Sequence, residues 1–489
     1  MSPYLILGSI GGYFLLLLLI AWYTSRKTNA QGYFLGNKAS PWFAVALGMI
    51  GDSLSGVTFI SVPGKVGTAS HFSYLQLVIG FWLGYFVIAY VLLPVYYRMN
   101  LTSIYTYLEE RFGKSSQKTG ALYFMLSRLL GAAARLYLTA SVIQYFVFDK
   151  FGVPFGLSVS IIIILILLYT YRGGIQTLVW TDTFQSLLLL GAVMFTIISI
   201  TNSMDWSLSE MIGNVYNSEY ADVLVFDWKG KSFWLKDLLG GMFISITMTG
   251  LDQNMMQKNL SCPNLRDAQK NVVSFSFVMV LVNVFFLSLG ALLYIYSAHI
   301  GFQIPAKTDE LFPQLALNHL GFAAAIAFII GLTASTFSSA DSVLTTLTTS
   351  FYIDFLRLDK NETLTEVQKN KQRHNIHVVF ALLLLGVILI FKALNKQAII
   401  DTVFLVAGYT YGPLLGLFGF GLLTKRSLHD AYVPIICVLA PLLTYFIATN
   451  APNWLNGYQF GFELLLLNGL LTFIGLQLIA DKAHERQIQ

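Results

Sequence analysis

Residues 42–64 read WFAVALGMIGDSLSGVTFISVPG. The stretch is apolar enough for the interior of a membrane, yet it carries Gly48, Gly51, Asp52, Ser53, Ser55, Gly56, Thr58, Ser61, Pro63 and Gly64. Glycine and a late proline weaken a helix, and the hydroxyls and the carboxylate need partners that hydrocarbon does not supply. The reading is a membrane helix that breaks near its middle and exposes backbone carbonyls and amides. The segment 236–256 has the same character, with Gly240, Gly241, Thr247, Thr249, Gly250, Asp252 and Gln253. Two interrupted spans in corresponding places are the sequence pointer to inverted repeats with a binding site at their interface.

The rest of the chain fits that frame. It has 489 residues, 56% hydrophobic and only 11% charged, against about 25% charged in a soluble domain; its mean hydropathy is +0.65. Windows of about 20 apolar residues place spans near 4–24, 42–64, 73–97, 120–148, 153–171, 178–201, 236–256, 272–298, 321–350, 375–394, 402–423, 431–449 and 461–480. The expected fold is an all-α integral membrane protein of about 13 helices in a single domain, 1–489. An extra helix (4–24) precedes repeat 1 (42–201) and repeat 2 (236–424), and two helices (431–480) follow. Residues 4–23 lack a basic stretch before them and read as a retained first span rather than a signal peptide.

With the N-terminus outside, twenty lysines and arginines, Lys258 and Arg373 among them, fall in inward segments and eight in outward ones. That bias sets the C-terminus in the cytoplasm and explains the net charge of +5 without nucleic acid. Cys262 reads as an inward-loop residue and Cys437 as a buried one, with no disulfide. His374 and His377 read as a solvated helix start. No nucleophile-elbow, zinc-protease or phosphate-loop motif occurs in a usable context, so no enzyme is expected.

Polar groups inside the spans carry the functional reading. In 331–342, GLTASTFSSADS, the serines Ser335, Ser338, Ser339 and Ser342 share one helix face, flanked by Asp341. Small-residue helix packing accounts for the serines but not for Asp341; compact oxygen clusters suit a small hard cation. Asp52, Asp182 and Asp252 are further intramembrane acids, and Arg128 and Arg135 share a face of the fourth span. These groups either pair within the bundle or serve a site. Asp52 is the partner expected for Arg135, Asp252 suits a helix cap, and Asp182 and Asp341 have no basic residue in their own spans.

Residues 171–185, YRGGIQTLVWTDTFQ, closely resemble a stretch diagnostic of the sodium:solute symporter family. LDQNMMQ (251–257), GPLLGL (412–417), and Ser338–Ser339 followed by FYID (351–354) agree with it, over roughly residues 20–430. The resemblance implies the five-plus-five repeat fold of the leucine transporter. It implies sodium as coupling ion, with a first site at the carbonyls of Gly51, Leu54 and Ser335 and the hydroxyls of Ser338 and Ser339. A second site, present in some members, matches Asp182, Ser338, Asp341 and Ser342, where Asp341 departs from the usual hydroxyl and admits either tighter sodium binding or a proton. Two sodium ions per solute are expected on that basis. The solute pocket falls on Asp52, Ser55, Thr58, Gln76, the 248–252 region with Asp252, and Arg135. Met248 stands where the sugar branch has a gating tyrosine. Gly131 stands where sialic acid transporters have an arginine, with Arg128 and Arg135 a turn to either side. The implied function is a sodium-coupled, monomeric symporter in the cell membrane bilayer that imports a small polar or anionic solute (sialic acid, another carboxylate or a sugar-like molecule). Its alternatives are a sodium-independent facilitator or channel and a proton-coupled carrier of the same fold.

Overall fold

A computed structural model describes residues 3–25, 30–394 and 399–481. Arg26, Lys27, Lys396, Lys482 and Arg486, which enter the charge bias, and His484 lie outside the described residues. The described chain is helical; its single strand-like pairing is an isolated bridge between Leu428 and Ala480.

Helix α1 covers Pro3–Ser25. The 42–64 stretch forms α2 (Trp42–Ser53) and α3 (Gly56–Lys65), bent by 58° about Leu54 and Ser55. Tyr74–Val87 is α4, which continues through a wide turn to Arg98. Lys114–Phe146 is α5. Phe155–Ser203 is α6, broken at Gly174, whose φ of 54° is left-handed. The second interrupted span is α7 (Trp234–Ser245), a wide turn to Gly250, and the short α8 (Gln253–Asn259). Then come α9 (Leu265–His299), α10 (Gly321–Ser350), α11 (Glu366–Leu394), α12 (Ile399–Leu423), α13 (Val433–Trp454) and α14 (Leu464–Leu478).

Among the described residues nine helices are long and apolar enough to cross a membrane, or ten with the bent α2–α3 pair. The other three predicted segments are helices that are short (155–170 and 464–478) or broken (α7–α8).

Both breaks have local causes. At the first, the Gly51 amide turns to Ser186 Oγ (2.8 Å), and a Cβ on Gly51 would lie 2.7 Å from Ser338 Oγ, so α10 lies directly against the break. At the second, Asp252 is extended (φ −116°, ψ 121°) and its carboxylate caps α8 by accepting from the Met255 amide (3.2 Å). Helices α4 and α7 cross backbone to backbone. A Cβ on Gly80 would meet the Leu238 carbonyl at 2.2 Å, and one on Gly241 the Leu77 carbonyl at 2.1 Å. Only glycine allows so close an approach.

Candidate functional site

Helix α10 is buried all round from Gly331 to Ser350, so its hydroxyls face other helices and not lipid. Ser335 and Ser339 donate back to their own helix, to Leu332 O (2.9 Å) and Thr336 O (3.1 Å), which leaves their oxygen lone pairs free. Ser338 Oγ donates to Asp182 Oδ1 (3.0 Å) and Ser342 Oγ to Asp182 Oδ2 (3.3 Å). The structure thus brings together Gly51, Ser338, Ser342 and Asp182 between α2, α6 and α10. Asp341 turns to Tyr169, whose hydroxyl donates to Oδ2 (2.7 Å), while its Oδ1 has no hydrogen-bond partner among the described residues. Gln185, with its amide oriented to match its neighbours, donates to Asp182 Oδ1 (3.1 Å) and accepts from the Tyr13 hydroxyl (2.6 Å).

Sequence reasoning missed Lys258. Counted among inward-loop cations, it is fully buried on α8, and its Nζ stands 2.5 Å from both Asp52 Oδ2 and Asp182 Oδ2. Asp52 is therefore paired with Lys258, and with Asn254 Nδ2 (3.4 Å), rather than with Arg135. The reason is that the chain does not leave the protein after the break at Asp252: every residue of the helix Gln253–Asn259 is buried. The signal in the sequence is that Lys258 is set in a short run, QNMMQKN, directly after an intramembrane break and amid Gln253, Asn254, Gln257 and Asn259, where a polar helix end has partners inside the protein. Two further corrections follow from burial. Cys262 is fully buried. His377 is buried between the hydroxyls of Thr170 and Thr348, each 3.0 Å from a ring nitrogen, and is no solvated helix start.

Beside this cluster lies a cavity of about 90 Å³ that opens into a wider space, lined by Asp52, Ser55, Thr58, Arg128, Arg135, Met248 and others. It extends toward Tyr74 and Phe404, at the helix ends nearest the 202–235 segment. Of the predicted solute residues, Asp52, Ser55, Thr58 and Arg135 line it. Gln76 does not: it donates to Asp237 (3.1 Å) and accepts from the Val225 amide (3.0 Å), tying the long loop to α4. Asp252 does not either. Its Oδ2 takes Arg128 Nε and the Tyr411 hydroxyl, both at 2.5 Å, and Arg128 also donates to Met248 O (2.9 Å). This lock, with Tyr96 on Gly250 O (2.8 Å) and Tyr105 on Leu251 O (3.1 Å), seals the face away from the cavity mouth. Arg135 differs from Arg128. It is only 8% exposed, yet it has no ion pair or hydrogen bond among the described residues.

The sodium:solute symporter family model matches residues 33–430. A sodium/sialic acid symporter of Proteus mirabilis is 27% identical over 444 residues, covering 88% of each chain. One of Aliivibrio fischeri is 25% identical and covers 92% of this chain and 89% of its own. The mouse sodium-coupled monocarboxylate transporter 1 is 25% identical over 81% of this chain and 65% of its own. Among solved structures, a Na⁺-coupled sialic acid symporter in a substrate-bound outward-open state superposes with a TM-score of 0.82 at 22% identity, over 98% of this chain and 99% of that one. A nucleobase-cation-symport-1 family transporter in a closed conformation gives 0.57 at 16% identity, over 92% of this chain and 96% of that one. The chain belongs to the sodium:solute symporter family. It is a multi-pass membrane transporter, a sodium-coupled symporter and not an enzyme.

Proposed function

We propose that this symporter uses inward sodium flow to import a small anionic solute, and that Arg135 holds the solute's carboxylate. The observation that carries the reading is the state of Arg135. A buried guanidinium without a counter-charge is costly, and here it lines the cavity beside Ser55 and Thr58. A carboxylate entering the cavity supplies the missing partner in bidentate form. The sialic acid and monocarboxylate relatives transport solutes of that class, which adds support. Sodium binds at the Gly51, Leu54 and Ser335 carbonyls with the Ser338 and Ser339 hydroxyls. This proposal draws on the contact of α10 with the α2–α3 break and on the free lone pairs of Ser339. Sodium there ties α10 to the break and so favours the solute-binding shape of the cavity. Alternating access then carries both across.

The test is solute binding to the purified protein, screened over sialic acids, monocarboxylates and neutral sugars with and without sodium. An acid should bind in a sodium-dependent way. Arg135→Ala should weaken it by roughly 30-fold or more, as expected from about 2 kcal/mol or more for truncating one side of a buried charge pair. The melting temperature of the free protein should hold, because no protein group loses a partner. Preferential binding of a neutral solute, or unchanged affinity in Arg135→Ala, would refute the reading.

A further inference from the structure

We infer that Lys258 is a tethered cation that stands in for a second sodium ion at Asp182, so that the wild-type carrier binds one sodium per chain. The inference rests on the sodium site proposed above and bears on its stoichiometry.

Of the residues that would form a second site, Asp182 is already served at both oxygens. Asp182 Oδ1 accepts from Ser338 and Gln185, and its Oδ2 accepts from Lys258 and Ser342. The ammonium is the strongest of these partners, and it is dry: the Lys258, Asp52 and Asp182 side chains are each at most 1% exposed. A sodium ion taking Asp182 for itself would have to displace a buried positive charge from its partner.

Charge balance gives the same answer. Asp52 and Asp182 with Lys258 sum to −1, and one sodium between α2 and α10 brings the cluster to zero. A second sodium would leave +1 in a buried, low-dielectric site. Asp341 has one donor, Tyr169, and an unpartnered Oδ1. It makes no ion pair with Lys258 among the described residues, so it is not one of the three groups counted here. Asp52 Oδ1 is also buried and unpartnered. Lys258 also connects the two broken spans, since Asp52 closes α2 and Lys258 belongs to α8. A tethered ammonium can do there what a mobile ion does in a two-ion carrier, without leaving with the solute.

The experiment counts ²²Na⁺ bound at saturation to the purified full-length protein, with no solute present. The wild type should bind one sodium per chain. Lys258→Met, which keeps the length and drops the charge, should bind two, and Lys258→Met with Asp182→Asn should return to one. Lys258→Arg should stay at one. Two ions on the wild type, or one on Lys258→Met, would overturn the inference. If Lys258→Met does not fold, Lys258→Gln takes its place, and the wild-type count is decisive alone. No saturable sodium binding to the wild type would instead defeat the sodium site itself, so the two failures are distinct.

Discussion

Asp252→Asn tests the lock beneath the cavity. The carboxylate has three donors: Arg128 Nε, the Tyr411 hydroxyl and the Met255 amide. Asparagine caps a helix as well as aspartate does; with its oxygen kept on the Met255 amide, its Nδ2 takes the Oδ2 position and donates to the Tyr411 hydroxyl, so the change isolates the lost charge. Arg128 is then a buried cation with only the Met248 carbonyl. Removing one member of a buried pair costs about 3–5 kcal/mol. The surviving carbonyl and the adjoining cavity place this case near the lower end, about 3 kcal/mol, or roughly a hundredfold in population. Asp252→Ala adds the lost cap, about 1 kcal/mol, and the lost Tyr411 bond, about 1 kcal/mol more. Arg128→Met with Asp252→Asn removes both charges and should return to within about 1 kcal/mol of wild type, since apolar replacement of a buried pair is often neutral. The buried Cys262, three residues past α8, supplies the readout. In a Cys437→Ser background, maleimide labelling of Cys262 should quicken roughly a hundredfold in Asp252→Asn and return toward the wild-type rate in the double variant. Labelling of the double variant as fast as that of Asp252→Asn would refute the reasoning.

Three further outcomes are expected. Ser338→Ala and Ser339→Ala should each raise the sodium half-saturation by roughly tenfold with the fold kept, as the loss of one ligand oxygen at about 1.4 kcal/mol requires; an unchanged value in both variants would remove the site. Gly241→Ala, whose Cβ would meet the Leu77 carbonyl at 2.1 Å, should cost about 1–3 kcal/mol or more of stability. Gly131→Ala, with nothing within 4 Å, should gain about 0.5–1 kcal/mol, and equal melting temperatures for the two would contradict the packing described. His377→Ala leaves a cavity and frees two threonine hydroxyls, and should lower stability by about 2 kcal/mol in an unfolding measurement.

Much of the architecture was legible because membranes impose a length and punish polar atoms. The breaks near residues 54 and 251, and the polar face of α10, follow from glycine, aspartate and serine in apolar runs. What could not be read was depth after a break. Counting Lys258 as an inward charge assumes that a chain leaving a span reaches water, and α8 instead stays buried in protein. The same assumption misplaced Cys262 and His377. Pairing Arg135 with Asp52 failed for a related reason. Two charges at similar depth on neighbouring spans are natural partners only when no third one enters from a short helix whose burial depends on tertiary contacts.

The crossing of α4 and α7 has an evolutionary consequence. Where two backbones touch through glycine, no layer of side chains lies between them, so the spacing of α4 and α7 cannot be altered by small steps, and change on that side must come at the side chains both segments send into the cavity, Phe81 and Met248 among them. New solute preferences can also be written across the cavity from them, at Arg135 of α5 and Thr58 of α3.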